Sequence, residues 1–129
     1  MLIWWKDKHK KIKKLVIAEK PSVAIAIAKI IGANIRRDGY YEGNDFIVSW
    51  CYGHLIELAK PNCYDEKYKK WNLKNLPIIP EKIEYIVKPS AKTQFAILKK
   101  LISSKEVASL ICACDADREG EAIFRLMSL

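Results

Sequence analysis

Val107-Ala-Ser-Leu-Ile-Cys-Ala-Cys-Asp-Ala-Asp-Arg-Glu-Gly-Glu121 decides how this chain is read. Its first half, Val107 to Ala113, is a short continuous apolar run of the kind expected for a strand covered by other elements. It then opens into four acidic residues within seven positions, Asp115, Asp117, Glu119 and Glu121. Gly120 permits a tight bend into a helix running on to Leu129. Carboxylates crowded at a strand end resist ionising together unless a cation neutralises them. A hard divalent metal removes the conflict, and Mg²⁺ is usually held by one or two carboxylates with waters and phosphate oxygens completing its shell. On an extended backbone Asp115 and Asp117 point the same way, about 7 Å apart; Glu119 swings in as the chain turns. The competing reading is a solvated helix cap, since acidic residues are favoured in a first helical turn.

Moving outward, Leu15-Val-Ile-Ala18 is a second buried-strand candidate, and it ends on Glu19-Lys20. Pro21 is a favourable first helical residue, Val23 to Ile31 is apolar almost all round, and Gly32 supplies a stop. Tyr40 to Trp50 reads as a hairpin around the turn-prone Glu42-Gly-Asn-Asp45. The stretch from Pro61 to Pro80 lacks periodicity and reads as an ordered, irregular excursion held down by Tyr64, Tyr68 and Trp71. Glu84 to Lys88 is a further strand candidate. Ser90 caps a helix that carries Phe95, Ile97, Leu98, Leu101 and Ile102 at helical spacing. Strands alternating with helices predict an α/β fold, a mostly parallel sheet with helices on both sides. Ligands of such sheets bind at the carboxyl ends of the strands. Glu19 and Asp115 both lie at such ends, so neighbouring strands would bring them together at a spacing of roughly 5 Å.

Composition sets the bounds. The 129 residues suffice for one domain with a real core. Half are apolar and 29% are charged, which excludes global disorder. The formal net charge of +8 favours a polyanionic partner such as nucleic acid, against the plainer reading of a lysine-rich solvating surface. Cys51, Cys63, Cys112 and Cys114 include no C-x-x-C pair, so neither a zinc ribbon nor a disulfide framework is indicated, and a reduced, intracellular setting fits. No stretch approaches the roughly 20 apolar residues of a membrane span, and the first residues lack the order of an export signal. Residues 1–13 read as a basic arm ahead of a domain covering 14–129.

Taken together, Val16-Ile-Ala-Glu-Lys-Pro-Ser-Val-Ala24 and Asp115-Ala-Asp-Arg-Glu-Gly-Glu-Ala122 resemble the N-terminal Toprim domain of type IA DNA topoisomerases. Trp50-Cys-Tyr-Gly-His-Leu-Ile-Glu57, Tyr64-Asp-Glu-Lys-Tyr-Lys-Lys-Trp-Asn72 and Leu76-Pro-Ile-Ile-Pro-Glu81 are similar to the topoisomerase III branch. The resemblance runs in matching order from about Lys14 to the last residue.

The resemblance implies specific roles. Glu19 matches the glutamate that handles the proton on the 3′-oxygen during cleavage and religation. Lys20 matches the lysine that neutralises the scissile phosphate. Asp115, Asp117 and Glu119 match the Mg²⁺ ligands. Arg118 is a candidate DNA contact, with pairing to Glu121 as the structural alternative. His54 resembles a position near the family's active site, against the alternative of a core histidine bonded to backbone. The partners implied are DNA, in single-stranded segments, and the remaining topoisomerase domains of a longer chain, with no membrane. The implied location is cytoplasmic and nucleoid-associated. None of Tyr40, Tyr41, Tyr52, Tyr64, Tyr68 and Tyr85 matches the family's cleavage tyrosine. The chain therefore reads as a fragment, truncated within its Toprim domain and inactive in relaxation by itself. The alternatives are the Toprim domain of a primase or nuclease, and a basic DNA-binding module without chemistry.

Overall fold

The computed structural model describes residues 12–128; the expected basic arm falls almost wholly outside the described residues. The first strand, β1 (Lys13–Ala18), is followed by α1 (Pro21–Ile31). Pro21 presets the first helical φ, and Gly32 closes the helix in the left-handed conformation with φ 79°, its N–H bonded to the Ala28 carbonyl. Three short antiparallel strands follow: β2 (Ile35–Arg37), β3 (Tyr40–Gly43) and β4 (Phe46–Trp50). Asn44 and Asp45, both at positive φ, make the two-residue turn between β3 and β4, a geometry their short polar side chains tolerate. The chain continues through β5 (Ile56–Leu58) and an excursion to β6 (Tyr85–Val87). It ends with α2 (Lys92–Ile102), β7 (Val107–Ala113) and α3 (Arg118–Ser128).

The main sheet has the order β2-β3-β4-β1-β7. Its centre, β4-β1-β7, is parallel, and only β3 runs against the other four strands. The expected mostly parallel α/β sheet is therefore present, with an antiparallel edge that the alternating pattern did not require. Glu84–Lys88 was expected among the strands of that sheet. Instead its core, β6, pairs with β5 in a separate two-stranded sheet. β2 was missed, because three exposed residues including Arg36 and Arg37 carry no apolar alternation.

β1 separates two cores. Leu15 and Ile17 point to one face, where Leu98 and Leu101 of α2 and Ile123 and Met127 of α3 cover them. Val16 and Ala18 point to the other and meet Ala24 and Ala28 of α1. Both faces of β1 are thus dry, which is why its sequence runs apolar without alternation. Burying a Leu or Ile side chain in such a layer contributes about 1.5–3 kcal/mol.

Two local expectations need correction. Ser90 does not cap α2: it lies in a 3₁₀ turn, Pro89–Ala91, and no side chain bonds the helix start. Tyr64 does anchor the excursion, its hydroxyl accepting the Glu84 N–H at 2.9 Å. Trp71 does not, being 88% exposed. Asp65 and Asn72 instead fold the excursion locally by accepting the N–H groups of Lys67 and Lys74.

Candidate active site

The site is built where β1 and β7 end. Their parallel register pairs Ala18 with Ala113, so Glu19 and the Cys114–Asp115 step emerge side by side. The Asp115 N–H donates to Glu19 Oε2 at 3.3 Å across 96 positions of sequence. β4 completes the floor: the Cys51 N–H bonds the Ala18 carbonyl at 2.8 Å, and the Gly53 N–H bonds the Glu19 carbonyl at 3.1 Å. The spatial expectation that two remote acidic segments meet at one sheet end therefore holds.

Asp117 works as a helix cap. Its Oδ1 accepts the Gly120 N–H at 2.6 Å, satisfying one orphan donor at the start of α3, and its carbonyl accepts the Glu121 N–H at 3.1 Å as the first intrahelical bond. The cap reading and the ligand reading do not exclude each other, since only one side-chain oxygen is engaged. The Asp117 N–H donates to the Asp115 carbonyl at 2.9 Å, which folds the D-x-D step back on itself. Gly120 makes this possible: a Cβ there would collide with the Asp115 carbonyl oxygen. Glu119 lies in the first turn of α3, where the helix dipole favours negative charge.

His54 is half-exposed, with Nε2 3.4 Å from Glu119 Oε1. It faces the acidic cluster, which overturns the alternative of a core histidine bonded to backbone. Arg118 is exposed, and Glu121 pairs with Arg125 at 2.7 Å, so the proposed Arg118–Glu121 alternative is not made. Lys20 is exposed at the extended residue before Pro21. Among the described residues it forms no ion pair with Glu19.

The cysteines are bystanders. Burial pushes the Cys51 thiol up to about 12, with smaller contributions from Glu19 and Cys112. Burial likewise pushes Cys114 to about 12. Both stay protonated at neutral pH and pack as small apolar groups. Cys112, expected inside a buried strand, is exposed because β7 is a sheet edge.

Glu19, Asp115, Asp117 and Glu119 offer only hard oxygen donors, the set that suits Mg²⁺ and not a soft metal. Among the described residues no three His, Cys, Asp or Glu side chains converge into a ready cage. Magnesium needs no such cage, because one or two carboxylates with waters hold it. The donor chemistry fits.

Sequence reasoning missed Arg36, Arg37, Tyr52, Lys88 and Gln94, which surround a cleft of about 1050 Å³ beside His54. The one available signal was the arginine doublet ahead of the Asp38-Gly39 turn.

A mostly parallel α/β sheet with an acidic strand-to-helix turn beside a Glu-Lys strand end defines the class: an α/β domain with its acidic cluster at the carboxyl ends of the strands. The family model for the Toprim domain matches residues 14–128, and the chain belongs to that family. It is 47% identical over 116 residues to a DNA topoisomerase 3 of Staphylococcus saprophyticus, covering 90% of this chain and 16% of that protein. A DNA topoisomerase 3 of Bacillus thuringiensis is 47% identical over 113 residues, covering 88% of this chain and 16% of its own length. The chain thus spans about a sixth of the length of these curated relatives.

Proposed function

We propose that this chain is the magnesium-binding Toprim portion of a type IA topoisomerase of the topoisomerase III kind. In the intact protein one DNA strand is cut, another passes through the gap, and the first is resealed. A tyrosine from another domain attacks the scissile phosphorus, the bond to the 3′-oxygen breaks, and the 5′-phosphate stays on the tyrosine until religation. Glu19 delivers a proton to the departing 3′-oxygen and takes it back when that oxygen attacks. Lys20 neutralises the scissile phosphate, and Arg118 and His54 contact the DNA backbone. Asp115, Asp117 and Glu119 would hold Mg²⁺, which when bound supplies charge neutralisation and orientation at the phosphate. The domain occupies 14–129, preceded by the basic arm 1–13, and the protein acts on single-stranded segments in the cytoplasm at the nucleoid.

The observation that supports this reading is the Asp115 N–H donating to the Glu19 carboxylate at 3.3 Å, since the proposed proton donor and the proposed metal ligands must lie side by side. The test is relaxation of supercoiled DNA by the intact protein containing this chain. Asp115→Ala with Asp117→Ala should lower the rate by at least about a hundredfold, the scale of losing charge stabilisation at the reacting group. Undiminished relaxation rejects the metal assignment.

A further inference from the structure

Among the described residues only two polar side chains are buried, Ser49 in β4 and Gln94 in the first turn of α2. They meet. The Gln94 amide nitrogen donates to the Trp50 carbonyl at 2.9 Å, to Ser49 Oγ at 3.1 Å and to the Gly39 carbonyl at 3.2 Å. Ser49 Oγ donates in turn to the same Gly39 carbonyl at 2.8 Å. An amide nitrogen carries two hydrogens, so the three acceptors share them. One side chain thus ties together α2, the end of β4 and the β2–β3 turn.

Helix formation does not explain this use of Gln94. A glutamine at the third helical position commonly reaches back to the N–H of the capping residue. Here the capping residue is Ala91, no side chain bonds the helix start, and Gln94 bonds across to the sheet instead. Stability does not require the amide either, because replacing both partners of a buried hydrogen bond by apolar groups of the same shape can be nearly neutral. What a satisfied buried amide adds is a single allowed placement of its partners.

Trp50 is the partner that leads to the acidic centre. Its carbonyl ends β4, and the residues that follow hold the site. The Cys51 N–H bonds the Ala18 carbonyl at 2.8 Å, the Gly53 N–H bonds the Glu19 carbonyl at 3.1 Å, and His54 Nε2 stands 3.4 Å from Glu119 Oε1. Gly53, at φ 66° with open space where a Cβ would stand, gives this segment little stiffness of its own. Its course is set from its two ends, Trp50 and the buried Leu55.

We infer that Gln94 is a positioning residue for the acidic centre: by holding the Trp50 carbonyl it fixes the Trp50–His54 segment, and through that segment the placement of Glu19 and Glu119. Its amide hydrogens are occupied by protein acceptors, so it acts through the segment and not on the substrate. The inference rests on the reaction proposed above, and it adds a residue outside the centre on which the geometry of that reaction depends.

Two measurements test this. Amide hydrogen exchange is followed by NMR on the full 129-residue chain without metal or DNA, and relaxation kinetics are measured on the intact protein containing this chain. Gln94→Met keeps the length of the side chain and removes the donor. It should speed exchange of the Gly53 amide about tenfold, the upper range for one net hydrogen bond, beyond any change at Leu98, which reports the stability of α2 as a whole. In relaxation it should lower kcat about ten- to a hundredfold, the scale of a misplacement of about 1 Å, and leave KM unchanged. Gln94→Asn, one methylene too short to reach the Trp50 carbonyl, takes its place if the methionine variant does not fold. Ser49→Ala is the control: it removes a bond to the Gly39 carbonyl and leaves Trp50 held, so it should lower the urea midpoint without moving Gly53 exchange or kcat. Wild-type exchange at Gly53 in Gln94→Met, an unchanged kcat, or equal effects from Ser49→Ala overturn the inference. The exchange measurement involves no chemistry, so failure of the acidic-centre reading, seen as relaxation that survives Asp115→Ala with Asp117→Ala, is distinguishable from failure of this one.

Discussion

Glu42 illustrates how one residue holds an edge of this sheet. Its carboxylate accepts from Arg37 at 2.6 Å and from Lys13 at 3.3 Å, and Lys13 also reaches Glu106 at 3.2 Å. The hydrogen bond from Arg37 holds the Glu42 carboxyl below its ordinary value of 4.5, with Lys13 assisting and partial burial opposing. A depressed folded value stabilises the protein above the unfolded value, and that stability disappears as pH falls through the folded one. Glu42→Gln should therefore cost about 1 kcal/mol at pH 7, the lower range for charge-assisted bonds with one exposed partner. Urea melts at pH 7 and pH 3 check this: the gap between wild type and variant should shrink at pH 3, and a constant gap removes the electrostatic explanation. Nothing in the order of residues announced this pairing. By contrast, Glu19, Asp115 and Asp117 were legible, because an acid ending an apolar run has few inexpensive explanations.

At the scale of the element, the D-x-D turn and α3 form a single unit. Asp117 caps the helix, and Gly120 lets the first turn of α3 lie against the Asp115 carbonyl. The collision in Gly120→Ala is with backbone, which cannot rotate away. That substitution should destabilise the fold by about 3 kcal/mol, the upper part of the range for overpacking, measured as a fall in urea midpoint. A wild-type midpoint would mean that the turn and α3 are not locked together. The helices and central strands were readable from apolar runs and from Pro21 and Gly32 as start and stop. The cap of α2 and the pairing of β6 were not. Capping depends on which turn precedes the helix, and a three-residue strand takes its partner from whatever edge lies nearby.

At the scale of the whole molecule, a sheet end gathers carboxylates on a chain whose net charge is +8. Like charges there oppose one another until a cation arrives, so magnesium should stabilise the fold. At a hundredfold excess over its dissociation constant the gain is about 2.7 kcal/mol. Thermal melts with and without chelator should show a magnesium-dependent rise that Asp115→Asn with Asp117→Asn abolishes; a rise preserved in that variant places the ion elsewhere. Among the described residues no helix is long and apolar enough to cross a membrane. The residue order by itself determined the class of fold and the acidic centre, because apolar runs, a helix-starting proline and clustered carboxylates are local signals with local causes. Only the tertiary structure decided that β4 lies beside β1, that His54 faces Glu119, and that Arg36, Tyr52 and Lys88 share one cleft. Those neighbours are set by sheet order and by the Gln94 bonds across three elements, and contacts between distant segments leave no periodic trace along a chain.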